Sequence, residues 1–323
     1  MEGNPFSSTG NWYRGNTHSH TTTSDGKLPV AELTQDYQDR GYDFLVITDH
    51  NVVADVGQSR TTELLVIPGS EIAVCCDGTF GMEVCSLGID EVRRSYVHPQ
   101  QVIDDVLEQG GIPVISHPHM SGVYSGKMME LDGIAGIEVY NAYCQGSGRR
   151  GFAQTHWDDL LSVGRRVWGL ASDDRHSGDR PGEPDKRDFD RFKAWVVVRA
   201  ADCTRPAILD AMKKGLFYST TGPQIKDIAI VDGEIHVATS PVRSITFATI
   251  PWLGSRQVAA AGEWLEAATV PLERVATPER AGGLVAGLQE HGSISKPMPA
   301  GQYFRVEIWD GGDGYAWSNP IFL

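Results

Sequence analysis

Short apolar runs alternate with amphipathic segments over the first two-thirds of the chain, and this alternation limits its possible folds more than any other feature. Continuous apolar runs of this kind are typical of parallel strands buried on both faces. They are Phe44–Thr48, Leu64–Pro68, Val84–Leu87, Ile112–Ser116, Ile137–Tyr140, Val167–Ala171 and Trp195–Val198. Between them, Pro29–Arg40, Val102–Gln109 and Pro206–Lys214 have apolar residues at helical spacing. The repeated β-α units predict an α/β fold with a parallel sheet, closed into a barrel.

The character of the sequence changes near Gly222 and Pro223. Short alternating runs follow, and Tyr303–Leu323 has the pattern of a strand, a glycine-rich turn and a second strand. These features predict a small antiparallel β domain. We therefore expect two domains, a barrel over residues 1–222 and the β domain over residues 223–323, with the stretch 254–301 left unassigned.

Residues that can bind metal ions recur at the carboxyl ends of the predicted strands. They are His18, His20, Asp25, Asp49, His50, Glu71, His117, Asn141, Asp174 and His176. One such histidine is more often an ordinary core residue, but the strand ends of a parallel barrel share one face, where active sites are built. Imidazole and carboxylate groups suit Zn, Mn or Fe, and a central carboxylate such as Glu71 can bridge two ions.

Five motifs in this order resemble those of the polymerase and histidinol phosphatase (PHP) family. They are HSHTTTSDG (His18–Gly26), ITDHN (Ile47–Asn51), GSEI (Gly69–Ile72), SHPH (Ser116–His119) and ASDDRH (Ala171–His176). The resemblance extends from Trp12 to Pro223 and implies a distorted (β/α)₇ barrel with two or three divalent ions (Zn, Mn or Fe). The segments YSTTGPQI (Tyr218–Ile225) and AWSNPIFL (Ala316–Leu323) resemble a subgroup with a C-terminal β domain, which includes phosphoesterases and carbamate hydrolases.

The resemblance also implies a set of ligands. The first ion takes His18, His20, Glu71 and Asp174; the second takes Glu71 and His117; the third takes Asp25, His50 and His176. The family's Asp-x-His spacing selects Asp174 rather than Asp173. Of these, Glu71, His117 and Asp174 are the expected catalytic residues. Cys85 stands in EVCSLG, where the family often has a histidine for the second ion. It is expected either to bind that ion as a thiolate or to be a small buried apolar residue.

Several polar residues lie in loops on the expected active-site side. The candidates for substrate binding are His119, Asn141, Arg149 and Arg180, with Arg150 and Arg175 nearby. Arginine suits bidentate contacts with a phosphate, although each of these arginines also fits a solvated loop position. Asp49 is expected to orient a ligand.

The charge balance bears on the substrate. Lys and Arg number 28 against 42 Asp and Glu, giving a net charge of −14, which opposes binding of a long nucleic acid. We predict hydrolysis of small phosphate esters by a metal-activated water. Carbamate or carboxylic ester hydrolysis by the same cluster is the main alternative; a nuclease for short single strands and a non-catalytic metal-binding module are the others.

Cysteine usage and hydropathy bear on the compartment. The five cysteines, Cys75, Cys76, Cys85, Cys144 and Cys203, are odd in number and irregularly spaced, which does not favour a disulfide framework. No apolar run reaches the length of about 18 residues that a membrane span needs. We therefore expect a cytoplasmic protein without a membrane span.

Overall fold

The computed structural model describes residues 3–74, 81–179, 185, 187–250, 253–275 and 303–323. In the first part of the chain the strands are β1 (Asn11–Asn16), β2 (Phe44–Ile47), β3 (Leu65–Val74), β4 (Met82–Leu87), β5 (Ile112–Ile115), β6 (Gly136–Asn141), β7 (Trp168–Ser172), β8 (Trp195–Ala200) and β9 (Phe217–Thr220). The helices are α1 (Val30–Asp39), α2 (Pro99–Glu108), α3 (Ser125–Met129), α4 (Ala142–Gly148), α5 (Gln154–Ser162) and α6 (Arg205–Lys213). Short 3₁₀ helices cover Pro5–Ser7 and Val56–Gln58.

Strands β1 to β7 lie side by side in chain order. Pairing is parallel from β1 to β3 and from β5 to β7, as predicted. The expectation of parallel pairing is wrong for β4, which is antiparallel to both neighbours, and for β8, which is antiparallel to β1. After β7, Arg175 forms a parallel bridge with Ser19, just beyond β1, and this bridge brings the two ends of the series together.

The helices follow from apolar spacing and from their end residues. In α1, Val30, Leu33 and Tyr37 are buried on one face, as expected for an amphipathic helix. Helix α2 begins with a capping box formed by His98 and Gln101. It is followed by Gly110, whose φ of 74° is the left-handed conformation that glycine accepts at a helix end.

The C-terminal part is antiparallel, as predicted. Its elements are β10 (Ile225–Val231), β11 (Glu234–Val242), β12 (Ser244–Ala248), β13 (Gly254–Val258), β14 (Leu265–Pro271), α7 (Leu272–Val275), β15 (Tyr303–Trp309), β16 (Tyr315–Ser318) and β17 (Ile321–Phe322). The unassigned stretch thus contains β13, β14 and α7, while residues 276–302 lie outside the described part. The α/β class with an antiparallel C-terminal region is confirmed.

The large sheet continues across the proposed domain boundary at residue 222. Strand β16 pairs with β9, with Ala316 opposite Thr220, and β15, β12 and β13 extend the same sheet. Strands β10, β11 and β14 form a separate sheet. Apolar side chains of both sheets, including Phe247, Phe304 and Ile235, pack together in one buried cluster. The boundary at 222 remains a prediction.

Two further expectations concern membranes and cysteines. None of the described helices is long and apolar enough to cross a lipid bilayer. Cys85, Cys144 and Cys203 have free thiols, whereas Cys75 and Cys76 lie outside the described residues.

Candidate metal centre

The strands deliver the predicted ligands to one end of the barrel. His18 and His20 follow β1, His50 follows β2, His117 follows β5, and Asp174 and His176 follow β7. Glu71 lies inside β3, which is longer than predicted. The backbone is left-handed at His117 (φ 24°) and Asp174 (φ 52°). Such conformations are costly for residues other than glycine and cluster at functional sites.

Four side chains lie around the ring nitrogens of His18 and His20, and we call them the first ligand set: His18, His20, Glu71 and Asp174. The Nε2 atoms of His18 and His20 are 3.1 Å apart. Oε2 of Glu71 lies 3.2 Å from Nε2 of His18 and 3.5 Å from that of His20. Oδ1 of Asp174 lies 3.2 Å from both. Ligands of a tetrahedral ion at about 2.0–2.1 Å stand roughly 3.3 Å apart, so the spacing suits a metal.

The hydrogen bonding of this set also fits a cation. Oε1 of Glu71 and Oδ1 of Asp174 are buried and lie 3.1–3.2 Å from imidazole nitrogens, yet neither accepts a well-aligned hydrogen bond from the described residues. A buried anionic oxygen without a partner is costly unless a cation neutralises it. The residues present therefore fit a divalent ion.

The electrostatics of the set reflect mutual stabilisation of opposite charges. Burial alone would lower the pKa of His18, but the negative charge of Asp174 and other nearby acids raises it well above the ordinary value. Burial would raise the pKa of Glu71, yet His18 and His117 hold it well below its usual range. A divalent ion would take over the role that these protons have in the metal-free protein.

The second predicted pair, Glu71 and His117, is also in contact. Oε1 of Glu71 lies 3.1 Å from Nε2 of His117, and Nδ1 of His117 lies 2.9 Å from Oγ of Ser121. Glu83, which the sequence analysis did not select, lies 3.6 Å from the same Nε2 through its Oε2 atom. Burial and the charge of Glu71 raise the pKa of Glu83.

The third predicted set is grouped around Asp25, whose side chain is half exposed. Its carboxylate oxygens lie 3.6 Å from Nε2 of His50 and 3.5 Å from Nε2 of His176. His20 joins the group, with Nδ1 3.6 Å from Oδ1 of Asp25. The Nδ1 atom of His50 lies 3.3 Å from Oε2 of Glu71, so His50 links the third set to the others.

Cys85, for which a ligand role and a buried apolar role were both expected, lies beside the first ligand set. It is buried, and its Sγ accepts a hydrogen bond from Oγ of Ser116 at 3.3 Å. The metal-capable atoms that it approaches belong to His18 and Glu138. Burial raises the pKa of its thiol to about 12. No contact joins it to His117 within the described part of the chain, and its role as a ligand remains a prediction.

Glu138 is the main functional residue that the sequence analysis missed. Its buried carboxylate accepts hydrogen bonds from Nδ1 of His18 (2.8 Å), the backbone N–H of His117 (2.8 Å), Nδ2 of Asn141 (2.9 Å) and Oγ of Ser172 (2.5 Å). A carboxylate in the middle of the apolar run IEVY was the available signal, because buried charges are rare without partners.

Asn141, predicted to bind substrate, is fully used within the protein. Its Nδ2 donates to Glu138 and, at 3.1 Å, to Asp174, while its Oδ1 accepts from the backbone of Cys144. Asp49 accepts hydrogen bonds from Thr21 and Ser24 and so shapes the loop that carries His20 and Asp25.

The other loop candidates lie at separate positions. His119 is exposed, and its ring hydrogen-bonds the carbonyl of Phe152. Arg149 lines a cavity of about 720 Å³ with Lys193 and Asp313, between the barrel loops and the β15–β16 turn. The guanidinium of Arg175 is buried against Asp36, which contradicts its expected place in the site. Arg180 lies outside the described residues.

A second cavity of about 720 Å³ adjoins the metal centre itself. Its polar members are Glu83, His117, Ser121 and Arg150; the rest of its lining is Ala73, Val74, Gly81, Met120, Gly122 and Gly148. Arg150 is thus the arginine that lies beside the ligand cluster. Tyr143, also missed by sequence reasoning, places its ring 4.7 Å from that of His176.

Asp174 and the adjacent Asp173 have different surroundings. The carboxylate of Asp173 accepts hydrogen bonds from the hydroxyl of Tyr37 and from the backbone of Phe192, Lys193 and Ala194. It therefore faces away from the first ligand set. The Asp-x-His spacing selected the residue that the structure places in the cluster.

Comparison with known proteins shows sequence similarity over about a third of the chain. No protein-family model matches the chain. An uncharacterized protein of Methanocaldococcus jannaschii is 29% identical over 110 residues, which cover 32% of this chain and 61% of that protein. The DNA polymerase/3'-5' exonuclease PolX of Bacillus subtilis is 24% identical over 148 residues, 37% of this chain and 26% of that protein. The chain therefore spans less than two-thirds of either relative.

The similarity to a solved structure extends over almost the whole chain. A two-domain protein of Bacteroides vulgatus, containing a predicted PHP-like metal-dependent phosphoesterase, aligns with a TM-score of 0.51 and 14% identity. The alignment covers 97% of this chain and 95% of that one. The two proteins therefore share a fold over almost the whole length of this chain.

Proposed function

We propose that this protein is a metal-dependent hydrolase that cleaves small phosphate esters. The observation that carries the proposal is the first ligand set, in which the Nε2 atoms of His18 and His20 lie 3.1 Å from each other and 3.2–3.5 Å from carboxylate oxygens of Glu71 and Asp174. The PHP-like fold and the phosphoesterase description of the Bacteroides protein agree with it.

The chain's own residues divide into ligands and groups that position them. His18, His20, Glu71 and Asp174 would hold one ion, with Glu71 and His117 at a second and Asp25, His50 and His176 at a third. Divalent ions bound there would supply a Lewis acid and lower the pKa of water. Glu138 holds His18 through Nδ1, so that Nε2 faces Glu71 and Asp174. Ser121 does the same for His117.

The cavity beside the ligands supports a substrate of limited size. Arg150 offers a cationic donor at the edge of this cavity, next to His117 and Glu83, and a guanidinium suits one anionic group. The rest of the cavity lining consists of apolar side chains and glycines. We propose a monoester or diester with one anionic phosphate and an apolar leaving group as substrate, with long nucleic acids opposed by the net charge of −14.

The same apolar lining favours one alternative function. Among the described residues, Arg150 is the one arginine that lines this cavity. An uncharged carbamate or carboxylic ester therefore also fits beside the cluster. The ligands serve acyl and phosphoryl chemistry equally well, so the lining of the cavity decides between them.

A substrate panel tests the proposal. The protein, loaded separately with Zn, Mn or Fe, is assayed on p-nitrophenyl phosphate, its bis-ester, nucleoside monophosphates, single-stranded DNA and naphthyl carbamate. We expect turnover of the small phosphate esters and none of the DNA. Activity confined to the carbamate would establish the alternative, and protein that binds no metal would contradict both.

A further inference from the structure

The direction of β4 decides which of its residues lies among the ligands. In a parallel strand the residue nearest the carboxyl end reaches the site, but β4 is antiparallel to β3. Cys85 lies opposite Glu71, whereas Glu83 lies opposite Ala73, two residues further toward the carboxyl end of β3. Both side chains point to the same face, because residues two apart on a strand do so.

The distances separate the two candidates. Glu83 lies 3.6 Å from His117. Its carboxylate also lies within 4.8 Å of a ring nitrogen of His50 and a carboxylate oxygen of Glu71, which is within the span of one metal site. The Glu83 side chain is 25% exposed and lines the cavity beside His117, so exchangeable ions can reach it. Cys85 is 2% exposed and groups with His18 and with Glu138, which already accepts four hydrogen bonds.

The charges at this position also call for a cation. Glu71 and Glu83 place two carboxylates side by side in a largely buried position, and like charges repel strongly in a low-dielectric environment. The neighbouring His117 offers a nitrogen ligand beside them. Two carboxylates with one imidazole form a nitrogen and oxygen donor set that suits Mn or Fe as well as Zn.

We propose that Glu83, and not Cys85, completes the second metal site with Glu71 and His117, next to His50. This inference rests on the metal dependence of the proposed function. A second site formed by Glu83, Glu71 and His117 contains no thiolate ligand. Such a site does not favour soft, thiolate-preferring ions, and its occupancy does not depend on the redox state of Cys85.

The test is metal binding, measured without reference to activity. Metal-free protein is titrated with Mn²⁺ by calorimetry, and bound Mn is counted by elemental analysis after dialysis. We expect Glu83→Gln to lose one Mn equivalent or to bind it more than about 100-fold more weakly, since loss of supporting groups alone costs about 10–100-fold. Cys85→Ser should keep the full Mn content. Glu130→Gln, at an exposed carboxylate paired with Lys127, controls for charge.

A second variant keeps the test decisive if Glu83→Gln folds poorly. Glu83→Lys places an ammonium group beside Glu71, which relieves the repulsion without offering a ligand, so it should also lose one equivalent. Loss of Mn in Cys85→Ser, with or without loss in the Glu83 variants, would overturn the assignment. Full Mn content in folded Glu83→Gln would overturn it as well. Wild-type protein that binds no metal would instead contradict the proposed function itself.

Discussion

The Nδ1 atom of His18 lies 2.8 Å from Oε1 of Glu138, on the side of the imidazole opposite the first ligand set. This hydrogen bond fixes the ring so that Nε2 faces Glu71 and Asp174. Carboxylates behind a histidine ligand are a common way to set its tautomer and its basicity. Because Glu138 also accepts from the backbone of His117, one buried carboxylate positions ligands of two sites.

The first prediction concerns this positioning. Glu138→Gln keeps the size of the side chain but replaces an acceptor oxygen by a donor, which opposes the N–H groups of His18 and His117. We expect metal affinity to fall about 10–100-fold, measured by calorimetric titration with Mn²⁺. Glu234→Gln, at an exposed position of β11, is the control. Unchanged affinity in the Glu138 variant would show that the hydrogen bond does not tune the site.

The second prediction compares Glu71 with Asp25. Glu71 is 1% exposed and lies within 3.5 Å of imidazole nitrogens of His18, His20, His50 and His117. Asp25 is 55% exposed in its side chain and has contacts of 3.5–3.6 Å. We expect Glu71→Ala to lose activity by more than about 100-fold and Asp25→Ala to lose less. Equal residual rates in steady-state assays would contradict the central role of Glu71.

The third prediction concerns pH. Burial opposes a proton on His117, but the adjacent carboxylate of Glu71 raises its pKa to about 10 in the metal-free protein. Burial likewise opposes a proton on His176, and its hydrogen bond to Asp25 raises its pKa to about 9. Both imidazoles therefore carry protons at pH 7, and metal ions must displace them. Affinity should fall about tenfold per pH unit for each displaced proton as the pH decreases.

Calorimetry in buffers of different ionisation enthalpy measures this proton release directly.

The same pKa values determine how the stability of the metal-free fold changes with pH. Because the folded values lie above the unfolded value of 6.5, the protons stabilise the metal-free fold fully below pH 6.5. This stabilisation is lost as the pH rises through about 9 and 10. Metal binding without proton release at pH 7 would contradict the assignment of these histidines.

The fourth prediction separates Arg150 from Arg149. Arg150 lines the cavity beside His117, whereas Arg149 lines the other cavity with Lys193 and Asp313. Hydrogen bonds to charged groups contribute about 1.5–3 kcal/mol, so Arg150→Ala should raise KM for an anionic ester by about tenfold or more. Arg149→Ala is the matched control and should leave KM unchanged. The reverse result would place the substrate beside the C-terminal strands.

Local sequence was enough for strands β2 to β8, for helices α1, α2 and α6, and for most of the ligand types. Apolar runs set the strands because a buried strand needs continuous apolar residues, and the metal-capable residues that followed them were visible in order. His18, His20, His50 and His176 lie together as the motifs implied. The choice of Asp174 over Asp173 also came from spacing alone.

Contacts between residues distant in sequence decided the rest. The antiparallel direction of β4 arises from its pairing with β3 and β5, which no local pattern encodes, and that direction places Glu83 rather than Cys85 beside His117. The burial of Arg175 against Asp36, 139 residues away, likewise depends on the packing of α1. The sequence determined which groups are available for chemistry. Only the tertiary structure decided which of them share a site, because strand direction and side-chain pairing are properties of neighbouring strands and not of a single segment.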